Sequence, residues 1–264
     1  MNTTEKNSVL EVQNLSIGYK AKKKATEVAQ NINFSLASGE LIAIVGANGV
    51  GKSTLLRTLA NIQPNLSGTI FLNQKELSSY KSSLLATSLS LVLTEQLPTR
   101  NLTVKEIIAL GRQPHTNWIG TFTANDIKHV KNAMELINIS DLQEKKCFEL
   151  SDGQMQKVLI ARALAQDTSL IILDEPTTHL DIYHKAYILK ILKRISEETN
   201  KTILFSTHEI DLAIQLCDKM VVMNNNEVLF DTPEQLIEKG SFSKLFPNDL
   251  INFDKKTQTF KVNK

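Results

Sequence analysis

Residues 46–54 have the composition and spacing of a loop that binds phosphate groups. The loop reads Gly46, Ala47, Asn48, Gly49, Val50, Gly51, Lys52, Ser53 and Thr54, which fits the pattern G-x-x-x-x-G-K-[ST]. Its glycines allow the backbone to turn with the N–H groups directed inward. We expect Lys52 to contact the β- and γ-phosphates and the Ser53 hydroxyl to bind Mg²⁺. The loop therefore predicts a site for a nucleoside triphosphate.

The segments on either side of the loop support this prediction. Residues 41–45 form an apolar run that is typical of a buried strand, and residues 55–60 are typical of a helix. The N-terminus of that helix would add partial positive charge beside the phosphates. Strand, glycine-rich loop and helix in this order argue against a chance match to the pattern.

Two carboxylates follow a second apolar run. Residues 170–173 predict a buried parallel strand, and Asp174 and Glu175 come directly after it. A carboxylate at this strand end can hold Mg²⁺ through its water shell, and its neighbour can accept a proton from an attacking water. An Asp-Glu-Pro sequence after a strand is also typical of a helix-capping turn, but the phosphate loop favours the catalytic interpretation.

Composition restricts the class of protein. The 264 residues carry a formal net charge of only +2, and the lysines are scattered, so we expect no nucleic-acid partner. No apolar run reaches eighteen residues, so no segment is expected to span a membrane by itself. The lone thiols of Cys147 and Cys217 suit a reducing compartment, and the histidines form no cluster that predicts a structural metal.

The periodicity of apolar residues predicts an α/β fold with an antiparallel β flank. Further strands are predicted over 9–19, 31–36, 69–73, 89–94 and 202–206, a hairpin around 224–226, and helices over 104–110, 124–139, 158–164, 183–198 and after Thr232-Pro233. Strand signals are missing between about 97 and 150. We therefore expect one domain, with a core of about 9–96 and 155–235, an inserted helical subdomain of about 97–154 and a short tail, 236–264.

Several spaced motifs together resemble the ATP-binding-cassette (ABC) family. The set comprises Tyr19, the phosphate loop, residues 151–154, Asp174-Glu175, Asp181 and residues 206–208. It occurs in the family's order and covers nearly the whole chain. The resemblance implies a P-loop NTPase core, ATP and Mg²⁺ as cofactors, and ATP hydrolysis coupled to transmembrane transport.

The resemblance also implies roles for individual residues near the phosphates. Tyr19 is similar to the aromatic residue that stacks on adenine, and Glu175 resembles the general base. His208 resembles the switch histidine that contacts the γ-phosphate. Lys52 and Asp174 keep the roles that the loop and the strand end predict for them.

A second set of matching residues implies a head-to-tail homodimer with two ATP molecules at its interface. Ser151, Gly153 and Gln154 resemble the family signature, of which Ser151 and Gly153 contact the γ-phosphate bound by the other subunit. Asp181 resembles the loop aspartate that links the two sites.

The sequence departs from the family pattern at two places. Asp152 stands where glycine is most usual, although the Ser151 hydroxyl and the Gly153 backbone stay available for ATP. The glutamine that usually ends the strand before the helical subdomain has two candidates. Counting from the strand favours Glu95 and residue identity favours Gln96; either could bind Mg²⁺ with oxygen.

Residues 102–106 and 111–115 resemble ATPases of importers for iron–siderophore, haem and vitamin B12, as does 178–181. The resemblance implies transmembrane permease subunits as partners, a periplasmic or lipoprotein substrate-binding protein as an indirect partner, and a peripheral position on the cytoplasmic face of the membrane. The alternatives are another ABC importer or an exporter, or a non-transport ABC ATPase acting on ribosomes or DNA. A surface loop with no bearing on the substrate is the other interpretation of residues 102–115.

Overall fold

The computed structural model describes residues 8–21, 24–93, 101–117, 119–224, 227–246 and 249–263. Its central sheet has six strands in the order β10-β9-β3-β8-β7-β6, and all neighbours are parallel except the antiparallel pair β9–β10. These strands are β3 (Leu41–Gly46), β6 (Leu89–Val92), β7 (Leu170–Leu173), β8 (Thr202–Ser206), β9 (Lys219–Met223) and β10 (Val228–Asp231).

A second, antiparallel sheet lies beside the central sheet and has the order β2-β1-β4-β5. Its strands are β1 (Ser8–Ala21), β2 (Lys24–Ala37), β4 (Ser67–Leu72) and β5 (Lys75–Glu76). This sheet is the predicted β flank. Strand β2 begins earlier than the predicted 31–36, because it pairs with β1 along nearly its whole length, from Ser8 opposite Ala37 to Ala21 opposite Lys24.

Eight helices complete the described fold. They are α1 (Lys52–Leu59), α2 (Ser82–Ala86), α3 (Val104–Ala109), α4 (Ala124–Ile137), α5 (Asp152–Ala165), α6 (Ile182–Thr199), α7 (Ile210–Leu216) and α8 (Pro233–Glu238). N-cap side chains stabilise the first turn of several of these helices. Thr123 and Ser151 form capping boxes, and Asp181 and Thr232 each accept a hydrogen bond from a backbone N–H of the first turn. Among the described residues, no helix combines the length and the hydropathy needed to cross a bilayer.

The alternation of side chains along the central strands gives the protein two apolar layers. Ile42, Ile44 and Ile172 face a cluster that contains α1 and the antiparallel sheet. Leu41, Ala43 and other alternate residues face a second cluster that extends into α3, α4 and α5 through α8. The phosphate loop and α1 are therefore held between two packed sheets.

The segment predicted as a helical subdomain contains no regular strand within 101–117 and 119–150, only helices, turns and an isolated bridge between Thr103 and Lys146. Its apolar residues share one cluster with the central sheet. The boundaries of core, helical subdomain and tail stay a prediction.

The C-terminal region contains a hairpin that the sequence did not predict. Strands β11 (Ile251–Asp254) and β12 (Thr259–Val262) pair in an antiparallel manner. Phe253 packs against Phe242 and Phe260, with ring centroids 5.0 and 5.1 Å away, and Phe242 is fully buried. The tail is therefore a packed part of the domain.

A buried ion pair fixes the region after α3 to its neighbours. The Arg112 Nε lies 2.9 Å from the Asp126 Oδ1, and the Arg112 Nη1 donates to the Ala165 carbonyl at 2.7 Å. The Thr123 hydroxyl and backbone N–H also donate to Asp126. These two hydrogen bonds, followed by the Arg112 guanidinium, lower the pKa of the Asp126 carboxyl to about 2.

Arg112→Met is expected to destabilise the fold by about 3–5 kcal/mol at pH 7, because it leaves the Asp126 charge buried without its partner. The Asp126 contribution is present above the ordinary pKa of a free carboxyl and is lost as the pH falls through about 2. The cost of the substitution should therefore shrink at acidic pH. Urea unfolding at several pH values measures both effects.

Lys131→Met is the matched control, since Lys131 is exposed and forms a surface ion pair with Glu135 at 3.8 Å. It should change the free energy of unfolding by less than about 0.5 kcal/mol. An Arg112→Met variant as stable as this control would contradict the role of the buried pair.

Candidate nucleotide-binding site

The phosphate loop connects the end of β3 to the start of α1 and depends on glycine at two positions. Gly49 has a φ of 77° and Gly51 a φ of 111°, in the region that side-chain-bearing residues avoid. A Cβ at Gly51 would also lie 2.3 Å from the Val28 Cγ1. Gly51 is the N-cap of α1 and has no side chain with which to cap the first N–H groups of the helix.

The other loop residues differ in how they face solvent. Asn48 and Gly49 are exposed and Ala47 is half-buried, whereas the Val50 side chain is buried in the core. A Cβ at Gly46 would lie 2.5 Å from the Met223 carbonyl oxygen, so the loop starts in close contact with β9. Because the Val50 side chain is buried, this residue can offer a ligand only its backbone.

The Lys52 side chain crosses the loop. Its ammonium donates to the carbonyls of Gly46 at 2.9 Å and Ala47 at 3.2 Å, and the residue is 6% exposed. Burial lowers the pKa of the Lys52 ammonium, and the negative charges of Glu175 and Asp174 act in the opposite direction. A cation is thus held at the centre of the loop, where phosphate oxygens could replace the carbonyls.

Asp174 lies at the end of β7 and faces the loop. Its Oδ1 accepts hydrogen bonds from the Ser53 Oγ at 3.2 Å and from the Ser206 Oγ at 2.7 Å. A hydroxyl and a carboxylate oxygen are the donor types that Mg²⁺ binds, so Ser53 and Asp174 fit this ion. The described residues hold no group of three or more His, Cys, Asp or Glu side chains that could form another metal centre.

Three side chains hold Glu175. Its Oε1 lies 2.8 Å from the His208 Nε2, and its Oε2 accepts from the Thr178 Oγ1 at 3.0 Å. Its backbone N–H donates to the Ser206 Oγ at 2.9 Å. The predicted pair Glu175 and His208 is therefore in direct contact, with a carboxylate that is partly open to solvent.

Tyr19 is attached to the same site through its hydroxyl group. The Tyr19 Oη and the Thr54 Oγ1 lie 2.9 Å apart, which connects β1 to the first turn of α1. The residue is 55% exposed, so part of its ring is accessible beside the phosphate loop. This arrangement suits an aromatic platform for a base.

The remaining described candidates form a second cluster, at the N-termini of α5 and α6. Ser151 and Gln154 exchange two hydrogen bonds, of 3.1 and 3.3 Å, around the start of α5. Asp181 accepts from the His184 backbone N–H at 2.8 Å and contacts the His184 ring. A Cβ at Gly153 would lie 3.5 Å from both Leu180 and His184, so the predicted signature residues lie against the Asp181 loop.

Glu95 and Gln96 lie outside the described residues, and the choice between them stays a prediction. The structure adds two residues to the site, Ser206 and Thr178, for which the sequence motifs indicated no individual role. Ser206 directly precedes the Thr207-His208 pair at the end of a predicted strand. This position and its place in the 206–208 motif were the signals for Ser206, but its contact with Asp174 depends on β7 and β8 being neighbours.

The family model described as ABC transporter matches residues 29–178. This chain belongs to the ABC transporter family. It is 38% identical over 245 residues to an uncharacterized ABC transporter ATP-binding protein of Methanocaldococcus jannaschii, covering 92% of this chain and 82% of that protein. A petrobactin import ATP-binding protein of Bacillus anthracis is 35% identical, with coverages of 82% and 80%.

Solved structures agree with this assignment. A structure described as an inward-facing metal-chelate type ABC transporter superimposes on the ABC ATPase with a TM-score of 0.78 at 28% identity, covering 97% of this chain and 96% of that chain. The cbiO1 protein of Clostridium perfringens, part of an ABC transporter complex, gives a TM-score of 0.77 at 30% identity, with coverages of 89% and 93%. The predicted family, fold class and activity are confirmed: the protein is a nucleotide-binding ATPase.

Gly51→Ala and Gly49→Ala should differ in their effects on this site. Both place a side chain at positive φ, at a cost of about 1–2 kcal/mol. Only the Cβ at Gly51 collides with Val28, whereas nothing lies within 4 Å of a Cβ at Gly49. Gly51→Ala should therefore lower the affinity for a fluorescent ATP analogue by at least roughly tenfold more than Gly49→Ala. Equal affinities in titrations of the two variants would contradict the close packing of the loop on β2.

Proposed function

We propose that this ABC ATPase energises an importer of iron–siderophore complexes or a related metal chelate such as haem or cobalamin. The observation that carries the proposal is the import function named for relatives that match over most of both chains. Besides the petrobactin protein, an iron(3+)-hydroxamate import ATP-binding protein of Bacillus subtilis is 33% identical, with coverages of 83% and 80%. The likeness to a metal-chelate type transporter supports the same cargo class.

The working unit is a head-to-tail homodimer. Ser151 and Gly153 lie at the exposed start of α5, next to Asp181, rather than among the hydrogen bonds of the phosphate loop. A second copy would bring these N-terminal groups to the γ-phosphate held by Lys52, and the positive end of α5 suits an anion. Gln154 would keep Ser151 oriented through the capping box.

Within each site, the chain's residues bind the nucleotide and activate water. Tyr19 stacks on the base, while the loop N–H groups and Lys52 bind the phosphates. Mg²⁺ held by Ser53 and Asp174, with Glu95 or Gln96, would supply charge neutralisation when bound. Glu175 accepts the proton of the attacking water, and His208 and Thr178 orient its carboxylate. His208 also contacts the γ-phosphate, and Asp181 links the paired sites.

The proposed partners are transmembrane permease subunits, contacted directly, and a substrate-binding protein, reached through the permease. The similarity to cbiO1, a component of a transporter complex, supports such an assembly. The ATPase would lie peripherally on the cytoplasmic face of the membrane. ATP-driven closure of the dimer would shift the permease between two states. ATP can shift this equilibrium because it binds the two states of the assembly with unequal affinity.

Glu175→Gln should lower ATP turnover by at least about hundredfold, because the amide cannot accept the proton of water. With Mg²⁺ and ATP the variant should accumulate as a dimer in size-exclusion chromatography. Glu227→Gln is the matched control, since Glu227 pairs with Lys244 and belongs to neither cluster. Turnover of Glu175→Gln that equals the control would remove Glu175 as the base.

A pull-down of tagged Glu175→Gln protein in mild detergent from its own host tests the transport role. Mass spectrometry should identify a polytopic permease together with a substrate-binding protein that binds a metal chelate. A permease without any binding protein would contradict import. Ribosomal or DNA-associated partners would contradict transport altogether and leave the ATPase assignment standing.

A further inference from the structure

Ser206 lies between the two carboxylate residues of the site and is fully buried at the end of β8. Its Oγ is 2.7 Å from the Asp174 Oδ1 and 2.9 Å from the Glu175 backbone nitrogen. One hydroxyl group therefore contacts the candidate metal ligand and the candidate base at the same time.

The direction of these hydrogen bonds is fixed by chemistry. The Glu175 N–H can only donate, so the Ser206 oxygen accepts there with a lone pair. The single Ser206 hydrogen then points to the Asp174 carboxylate, which can only accept while it is ionised. When the hydroxyl is removed, the Glu175 N–H loses this acceptor, and the Asp174 Oδ1 loses the shorter of its two hydrogen bonds and keeps the 3.2 Å bond from the Ser53 Oγ.

The backbone of Glu175 adds a reason for this bond. Its φ of 50° lies in the left-handed region, which is uncommon for a residue with a side chain. Such conformations persist only where several contacts with the surrounding structure stabilise them. At Glu175 the backbone is held on both sides, by the Ser206 Oγ on its N–H and by the Thr178 N–H on its carbonyl at 3.2 Å.

We infer that Ser206 is a positioning residue that holds Asp174 and the Glu175 backbone in one geometry, so that metal binding and water activation depend on the same hydroxyl group. The inference rests on the proposed roles of these two residues. In this role Ser206 acts through its two partners, Asp174 and Glu175.

Ser206→Ala tests this inference, with Ser196→Ala as the matched control. Ser196 is equally buried, but its hydroxyl donates to the Lys193 carbonyl within α6. Ser206→Ala should lower kcat for ATP by roughly tenfold to hundredfold and change KM by less than about threefold, since its partners act mainly in the reaction step. The control should keep both constants within about twofold of the unsubstituted protein.

A second readout follows binding without turnover. A fluorescent ATP analogue is titrated in EDTA and then at increasing Mg²⁺. Ser206→Ala should leave the affinity in EDTA unchanged and raise the Mg²⁺ concentration for half-maximal effect by at least about threefold, because second-sphere hydrogen bonds orient metal ligands. Ser196→Ala should match the unsubstituted protein in both titrations.

Three results would overturn the inference: an unchanged kcat, an equal loss of affinity in EDTA, or the same defects in Ser196→Ala. If thermal denaturation shows that Ser206→Ala is unfolded, Ser206→Cys, which keeps a weak donor and acceptor, is measured in the same way. The Mg²⁺ titration is independent of the base assignment. A normal turnover of Glu175→Gln would therefore refute the proposed base without deciding the contact between Ser206 and Asp174.

Discussion

The nucleotide site depends on three adjacent parallel strands that end at the same edge of the central sheet. Strand β3 pairs with β8, and β8 pairs with β7, in matched register. Gly46, Ser206 and Asp174 are therefore brought together although they lie far apart in the sequence. The hydrogen bonds from Ser53 and Ser206 to Asp174 join the phosphate loop, β8 and β7 at this edge. Since all three strands are buried on both faces, a one-residue shift in register would move every side chain to the opposite apolar layer and disrupt the packing of both layers.

The first turn of α6 connects this edge to the second cluster. Asp181 begins the helix, and the His184 ring lies against the position of Gly153 at the start of α5. One residue further on, Lys185 forms an ion pair with Glu209, which directly follows His208. The first turn of α6 thus contacts both the predicted signature residues and the segment that follows His208.

The sequence was sufficient to predict the elements that short local patterns determine. It was not sufficient for features that depend on pairing between segments far apart in the chain. Glycine spacing and apolar runs were sufficient for the phosphate loop and for β3, β7 and β8, because each is encoded within a few residues. The early start of β2 depends on its pairing with β1. Ser206 belongs to the 206–208 motif, but the sequence indicates no individual role for it, because its contact with Asp174 depends on β7 and β8 being neighbours. The C-terminal hairpin packs its Phe253 against Phe242, which lies outside the hairpin, and the pattern within residues 251–262 does not reveal this contact.

Residues 111–115 show why a sequence motif indicates the protein family more securely than it indicates the transported cargo. A Cβ at Gly111 would lie 2.2 Å from the Arg162 carbonyl oxygen, and Arg112 is buried against Asp126 and Ala165. His115 contacts the Gln166 carbonyl at 2.8 Å. The stretch is therefore not a plain surface loop, since its contacts attach it to α4 and α5. Residues engaged in such packing report the architecture of the fold rather than the identity of a transported molecule.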